Sequence, residues 1–326
     1  MARIINAASA LDDAFAVISS GGLAALPTET VYGLAADATN GEAVARIFEA
    51  KGRPRFNPLI AHVSNLEMAE RIGKFDPLTL TLVKAFWPGP LTVVVPHKQA
   101  SGIHPLVTAG LDTIALRHPR GFVAQLIERL GHPIAAPSAN SSGRISATTA
   151  QAVNADLGER IGLIVDDGQT MVGLESTIIK VEGGTVKLLR PGGVPASDIE
   201  RVAGVTLERR SASDAIQAPG MLASHYAPRA AVRLNVAEVL PGEALLAFGP
   251  VRARGAGNAV DMRNLSATGD LREAAVNLFD FLGFLDASGP ASIAVEPIPM
   301  NGLGEAINDR LSRAAAPRDM PMIGNR

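Results

Sequence analysis

The sequence predicts an α/β fold in which a twisted mixed sheet carries flanking helices and a smaller α/β unit follows. Short apolar runs of strand length alternate with helix-period segments along the chain. Two of these runs, 176–181 and 186–189, are joined by Gly183-Gly184 as the strands of a hairpin would be. A hairpin makes neighbouring strands antiparallel, so a mixed sheet is favoured over a purely parallel one.

The elements of the first unit follow one another in short segments. Strands are predicted at 22–26, 59–63, 91–95, 113–117, 134–136, 163–165, 176–181 and 186–189. Helices are predicted at 41–51, 78–86, 120–130 and 148–156. Ser64 followed by Glu67 is a capping-box signal for one more helix.

Apolar periodicity is lost around 204–229, which indicates a long linker before a second α/β unit. The second unit has predicted strands at 231–235, 244–248 and 292–295, and helices at 270–285 and 304–314. A length of 326 residues also favours two domains. The predicted organisation is a first domain at 1–207, a linker at 208–229 and a second domain at 230–326.

Composition excludes several classes of function. Hydrophobic residues make up 47% and charged residues 19%, which fits a globular core rather than disorder. The net charge of −2 provides no strong field for nucleic acid. The absence of Cys excludes disulfides, a cysteine nucleophile and thiolate metal sites, and is compatible with a reducing cytoplasm. Neither a signal peptide nor an apolar run of the roughly 20 residues that a bilayer requires is expected.

The common catalytic and nucleotide-binding motifs are missing. The sequence contains no P-loop, protein-kinase, G-x-G-x-x-G, G-x-S-x-G or H-E-x-x-H pattern. What remains is a set of dense polar segments beside predicted strand ends, where ligands of open α/β sheets often bind.

Two of these segments lie in the first sixty residues. Residues 27–34 (PTETVYGL) offer Thr hydroxyls to a small polar ligand, or form a turn with a capping Thr. Residues 51–59 (KGRPRFNPL) place three cations within five residues. They form either a solvated helix C-terminus or a rigid loop for a polyphosphate. His62 lies close to this loop, and a histidine in such a strand is more often packed than catalytic.

Three further segments carry a cation or small hydroxyls. If Ile114 and Leu116 face the core, Arg117 lies on the opposite face, where it either binds a carboxylate or is an ordinary surface arginine. Residues 135–143 (AAPSANSSG) form a backbone nest for phosphate or a Ser-rich loop with a helix cap. Ser176 and Arg190 flank the predicted hairpin and are suited to a polar ligand and a phosphate.

These segments, in this order, resemble the YrdC/Sua5 family, the threonylcarbamoyl-AMP synthases. The matching motifs are residues 27–34, 51–54 with 57–59, 87–92 (WPGPLT), 138–143 (SANSSG) and 175–178 (ESTI). The tail is similar to the long, two-domain Sua5 form at 218–221 (APGM) with 225–228 (HYAP), and at 302–304 with 308–311. The resemblance implies a YrdC-like sheet domain and a Rossmann-like C-terminal domain. The segment 221–225 has fewer basic residues than the family pattern leads us to expect.

The resemblance also implies an activity and the residues that serve it. The family's enzymes are nucleotidyltransferases that convert L-threonine, bicarbonate or CO2, and ATP into threonylcarbamoyl-AMP and pyrophosphate. It assigns threonine binding to Thr28, His62, Arg117, Ala136 and Ser176. It assigns ATP binding to Lys51, Arg53 or Arg55, Thr113, Ser138, Asn140, Ser146, Arg190 and Tyr226. The charges expected to act in catalysis belong to Lys51, Arg53 and Arg117.

The expected partners follow from the same resemblance. Mg²⁺ accompanies ATP and is held by phosphates and water, so no dedicated metal site is expected. The product passes in the cytoplasm to a threonylcarbamoyl transferase that modifies adenosine 37 of tRNA, and tRNA contact by this chain is weak. Three alternatives remain open: a double-stranded RNA or tRNA-binding protein without turnover, a carbamoyltransferase sharing the core, and a regulatory ATP-binding module.

Overall fold

The computed structural model describes residues 1–209, 217–220 and 224–317. Within these residues the chain forms a large sheet of eleven strands and a small sheet of four, both accompanied by helices. The strand order of the large sheet is β1-β8-β2-β3-β7-β4-β6-β5-β9-β10-β11 and that of the small sheet is β12-β15-β13-β14. The predicted α/β class is therefore confirmed.

The large sheet is mixed, as the hairpin signal predicts. Parallel neighbours such as β4 and β6 alternate with antiparallel neighbours such as β9 and β10. Its strands are β1 (Arg3–Asn6), β2 (Ala24–Leu26), β3 (Gly33–Asp37), β4 (Ile60–His62), β5 (Leu91–Pro96), β6 (Thr113–Arg117), β7 (Ile134–Ala135), β8 (Leu163–Asp166), β9 (Thr177–Glu182), β10 (Thr185–Arg190) and β11 (Glu208–Arg209).

The helices of this part begin and end at the residues that their capping chemistry favours. The Asn40 side chain accepts hydrogen bonds from the first backbone N–H groups of α2, and Gly52, at a φ of 59°, ends that helix. The helices are α1 (Leu11–Ser19), α2 (Gly41–Lys51), α3 (Leu66–Ile72), α4 (Pro77–Phe86), α5 (Pro105–Thr108), α6 (Phe122–Leu130), α7 (Ala150–Leu157) and α8 (Ala196–Ala203).

The two faces of the central strands have different surroundings. Side chains alternate between the faces of a strand, so Ile114 and Leu116 of β6 point into the main hydrophobic core. Ala115 points the other way and packs with Ile60 and Val94 in a separate small cluster. Arg117 shares the face of Ala115, as the sequence predicts.

The second unit is a parallel sheet with a core of its own. It contains β12 (Ala231–Arg233), β13 (Glu243–Ala247), β14 (Met262–Asn264) and β15 (Ser292–Val295), with α9 (Leu271–Ala287) and α10 (Gly304–Ala315). Its core also includes Val31 and Leu174 of the first unit and Tyr226 of the linker. The two units therefore meet through a shared apolar core.

The structure corrects several sequence-based expectations. The strands β1, β3, β11 and β14 and the helices α1, α5 and α8 are not among the elements that the sequence predicts. The cap of α3 is Asn65, which accepts from the Met68 backbone N–H, and not Ser64. Strand β11 pairs with β10 inside the stretch that the sequence assigns to the linker.

The segment 221–225, which has fewer basic residues than the family pattern leads us to expect, lies largely outside the described residues, at 221–223. None of the helices in the described ranges has the length and apolarity that crossing a lipid bilayer requires.

We expect Gly192→Ala to destabilise the large sheet, because Gly192 packs directly on the backbone that leads into β9. A Cβ there would lie 2.4 Å from the Glu175 carbonyl oxygen and 2.5 Å from the Thr177 nitrogen. Overpacking of this kind lowers the free energy of unfolding by about 1–3 kcal/mol. Denaturant unfolding measures it. Gly162→Ala is the control, since no atom lies within 4 Å of its Cβ position, and equal losses in the two variants would contradict this account.

Candidate active site

Most of the predicted site residues line a small pocket. It lies on the face of the large sheet that carries Ala115 and Arg117, opposite the main hydrophobic core. Its volume is about 40 Å³, which is room for only a few water molecules. We call it the central pocket. The predicted residues that line it are Thr28, Arg53, His62, Arg117, Ala136, Ser138, Ser176, Arg190 and Tyr226.

Strand register brings these residues together. Strands β4 and β6 run parallel with His62 opposite Arg117, so the two side chains leave the same face at the same level. The chain after β7 crosses beside β4, where the Ala136 N–H donates to the Ile60 carbonyl at 3.2 Å. The pocket therefore lies on a face of the sheet, and not only at strand ends as the sequence pattern indicates.

Arg117 is held by a buried ion pair. Its Nη2 lies 2.8 Å from Oε1 of Glu29, and both side chains are about 95% buried, with 5% and 3% exposed. The Arg117 Nε donates to the Gly89 carbonyl at 3.3 Å, and Glu29 Oε2 accepts from the Arg120 N–H at 3.1 Å. These contacts fix the plane of the guanidinium, which suits two-point binding of a carboxylate.

His62 is a neutral ring beside this arginine. Burial, and then the charge of Arg117, lower the pKa of His62 to about 3. Its Nδ1 has no hydrogen-bond partner in the part of the chain that the structure describes. A buried ring nitrogen without a partner is costly, which indicates that a ligand completes the site.

Lys51 does not line the central pocket but lies next to its Ser138. Its Nζ donates to the Ser138 carbonyl at 2.6 Å and to the Asn140 carbonyl. Burial, and then the neighbouring charge of Arg53, hold the pKa of Lys51 well below its usual value.

Arg190 and Arg53 also line the pocket. Arg190 donates through Nε and Nη2 to the Ser176 carbonyl at 3.2 and 2.9 Å, and through Nη2 to its hydroxyl at 3.2 Å. Arg53 donates to the carbonyls of Asn57 and Pro58. Burial lowers the pKa of Arg53 to about 10, so it remains charged at neutral pH.

The linker covers the pocket. Lys180 donates to the Gln217 side chain at 2.9 Å, and Ala218 packs in the small cluster with Ile60 and Ala115. Gly220 has a φ of 78°, and a Cβ there would lie 2.9 Å from the Tyr226 hydroxyl. A close approach at positive φ requires glycine.

Tyr226 inserts its ring between the two units. It is 1% exposed, and its ring centroid lies 4.3 Å from that of His225 and 5.6 Å from that of Phe279 in α9. Its φ is 60°, a strained value for a residue with a Cβ. Burial raises the pKa of Tyr226, and its hydroxyl has no partner among the described residues.

Glu175 and Arg310 are site residues to which the sequence analysis assigned no role. Glu175 lines the central pocket, accepts from the Ser146 hydroxyl and is paired with Arg310 of α10 at 2.8 Å. Burial favours a raised pKa for Glu175, but Arg310 and Arg190 outweigh it and lower the pKa to about 2. The sequence signal that could have indicated Arg310 is its position on the apolar face of α10, beside Ile307 and Leu311.

The remaining predicted residues lie in two different places. Asn140 and Ser146 line a neighbouring cleft of about 610 Å³ between the two units, and they contact the pocket wall through Lys51 and Glu175. Thr113 lies at the start of β6, four residues before Arg117, outside the pocket lining. Arg55 is exposed and does not line the pocket.

The arrangement has a definite chemical character. Three buried arginines, neutral histidines and small hydroxyls line one cavity, and the buried Lys51 lies next to it at the Ser138 carbonyl. Such a site binds anions and stabilises charge that develops on oxygen. It offers no thiol, and its Ser176 hydroxyl is bonded to Thr92 at 2.7 Å rather than to a base.

Two family models match the chain. A model of the Sua5, YciO and YrdC proteins, described as "Telomere recombination", matches residues 16–192. A model described as the C-terminal domain of threonylcarbamoyl-AMP synthase matches residues 194–316.

Individual proteins match over nearly the full length. A threonylcarbamoyl-AMP synthase of Pyrococcus abyssi is 40% identical over 98% of this chain and 99% of its own. One of Bacillus subtilis is 39% identical over 94% and 92%. The crystal structure of P. abyssi Sua5 complexed with L-threonine superposes with a TM-score of 0.87 at 38% identity, covering 96% of this chain and 97% of that one.

We expect the buried neutral ring of His62 to make stability depend on pH. Below about 6.5 the unfolded ring takes up a proton, whereas the folded ring does so only near pH 3. The free energy of unfolding therefore falls as pH falls, by about 2 kcal/mol between pH 7 and pH 5 for this group. Urea unfolding at both pH values should show that loss reduced in His62→Gln. An undiminished loss in the variant would contradict the prediction.

Proposed function

The chain belongs to the Sua5/YrdC family of threonylcarbamoyl-AMP synthases, and from this premise we propose that it makes threonylcarbamoyl-AMP and pyrophosphate from L-threonine, bicarbonate or CO2, and ATP. The observation that carries the proposal is the central pocket. There Arg117, fixed by Glu29, lies on one sheet face with Arg53 and Arg190, so that an amino acid and a phosphate chain have adjacent cationic anchors.

The reaction divides into two bond-forming steps. The amine of threonine attacks the carbon of CO2 with release of a proton to solvent, or that of bicarbonate with loss of water, and forms a carbamate. A carbamate oxygen then attacks the α-phosphorus of ATP, and the bond to the β-phosphate oxygen breaks to release pyrophosphate. Neither step needs a covalent protein nucleophile, which fits a chain without Cys. The protein aligns the reactants and offsets developing charge.

We assign the threonine end of the pocket to His62 of β4 and Arg117 of β6, with Thr28, Ala136 and Ser176 from the segments next to β2, β7 and β9. Arg117 would bind the carboxylate, because Glu29 holds its guanidinium in one orientation. The unpartnered Nδ1 of His62 would bind a polar group of threonine as a neutral ring. Thr28, whose hydroxyl already donates to the Val31 carbonyl at 2.7 Å, would act by shaping the wall, together with Ala136 and Ser176.

We assign the ATP end to the cations and small hydroxyls beside it. Lys51, Arg53 and Arg190 would offset phosphate charge, and Ser138, Asn140 and Ser146 would contact the nucleotide from the loop that Lys51 holds. Thr113 and Arg55 lie outside the pocket lining, so they would contact ATP beyond it. Arg55 would do so through its exposed side chain.

Mg²⁺ would enter with ATP. Glu175 is the carboxylate that lines the central pocket in the described part of the chain, and it is already paired with Arg310 and Ser146. The residues present therefore fit a metal ion held by phosphate oxygens and water.

The small volume of the pocket favours a linker that moves. About 40 Å³ is too small for threonine, and residues Ala218 and Tyr226 occupy the space over the sheet. We propose that the linker opens to admit substrates and then closes over them. Closure would keep water from the mixed anhydride, which hydrolyses easily.

The product is an activated group that a second enzyme must transfer. We propose that it passes in the cytoplasm to a threonylcarbamoyl transferase acting on adenosine 37 of tRNA, with only weak tRNA contact by this chain. A buried pocket with unpartnered polar atoms fits small ligands better than an RNA backbone, which needs an exposed basic surface.

The decisive experiment is mass spectrometry of a reaction containing threonine, bicarbonate, Mg²⁺ and ATP. We expect threonylcarbamoyl-AMP and pyrophosphate, with Lys51→Ala lowering product formation at least about 100-fold because phosphate charge is left uncompensated. Circular dichroism should show an intact fold in this variant.

Lys84→Ala is the matched control, because Lys84 is an exposed lysine of α4. It should form product at the unmutated rate. Absence of the adenylate from the unmutated protein would refute the function, and normal rates in Lys51→Ala would refute the role of that lysine.

For the linker, we expect the ring of Tyr226 to matter more than its hydroxyl. Tyr226→Phe should retain activity within about threefold, whereas Tyr226→Ala should admit water and raise the ratio of AMP to threonylcarbamoyl-AMP at least about fivefold. Labelled ATP followed through a single turnover measures this ratio. An unchanged ratio in Tyr226→Ala would show that Tyr226 does not protect the product.

A further inference from the structure

Arg310 is a fully buried cation of the second unit that contacts the first. Its side chain is 0% exposed, although α10 belongs to the small-sheet unit. Its Nε donates to Glu175 at 2.8 Å, and its Nη1 donates to the Pro191 carbonyl at 2.9 Å and to Asp309 at 2.7 Å. Its guanidinium carbon lies 5.0 Å from the centre of the Tyr226 ring.

Arg310 offsets the negative charge of the buried Glu175 carboxylate. A buried carboxylate lines a pocket whose other charged lining residues are arginines and whose proposed ligand is a polyanion. Left alone, its charge would repel the phosphates of ATP, and its burial would favour the protonated form. The same carboxylate accepts from Ser146, so its ionisation also fixes the Ser146 hydroxyl.

We propose that Arg310 is a positioning residue for ATP binding: from the second unit it offsets the charge of Glu175 and keeps that carboxylate as the acceptor of Ser146. The inference rests on the proposed function and assigns to the C-terminal domain an indirect part in the nucleotide site, through Glu175. It concerns the affinity for ATP and leaves the threonine end, at Arg117, untouched.

A packing role for Arg310 makes a different prediction. If the side chain only filled space between the units, its removal would affect the binding of both substrates and would not depend on the charge of Glu175. If Arg310 acts through that charge, removing the charge as well should restore binding, because a neutral pair leaves no buried uncompensated ion.

The experiment compares Arg310→Met with the double variant Arg310→Met/Glu175→Gln. Affinity for a non-hydrolysable ATP analogue is measured by titration calorimetry, and KM values for ATP and threonine by pyrophosphate release. We expect the single variant to weaken ATP binding at least about tenfold with the KM for threonine within about twofold, and the double variant to recover to within about threefold. The ATP affinity of Arg310→Lys, which keeps the charge but loses the planar guanidinium, should lie between those of the single and double variants.

Two controls keep the outcomes apart. Arg272→Met removes an exposed arginine from the same unit and should bind ATP like the unmutated chain, and circular dichroism establishes that every variant is folded. Unchanged ATP affinity in Arg310→Met, or no recovery in the double variant, would overturn the proposal. Because affinity is measured without turnover, failure of the unmutated chain to form the adenylate would refute the proposed function separately.

Discussion

The constraint on which this structure depends is the burial of several positive charges around one small cavity. Lys51, Arg53, Arg117 and Arg190 are each at least 93% buried, and charges of one sign repel strongly where the dielectric constant is low. The fold compensates locally, with backbone carbonyls for Lys51, Arg53 and Arg190 and the carboxylate of Glu29 for Arg117. A polyanionic substrate would compensate the positive charge that these contacts do not offset.

The sequence predicted the elements around this cavity well because their local signals are strong. The helix at 41–51 has an Asn cap and a terminal glycine, and the strand at 113–117 has an apolar alternation that also gave the facing of Arg117 correctly. The helix Leu11–Ser19 is not predicted, although it has an apolar face. The strand Gly33–Asp37 is not predicted because it follows directly on a polar segment.

What local patterns could not predict is how separate segments meet. The pairing of Glu29 with Arg117 spans 88 positions and that of Glu175 with Arg310 spans 135, and each depends on the order of strands or on the docking of a second domain. The pattern indicated sites at strand ends because ligands of open α/β sheets often bind there. Strand β7 is antiparallel to both its neighbours, and the chain that leaves it crosses beside β4 on the sheet face, where the pocket lies.

The apolar core shared by the two units has a consequence for how the chain folds. One cluster contains Val31, Leu174 and Tyr226 together with Leu278 and Phe279 of α9. Separating the units would therefore expose apolar surface on both, at a free-energy cost of about 25 cal/mol for each Å². Neither half therefore reaches its full stability without the other.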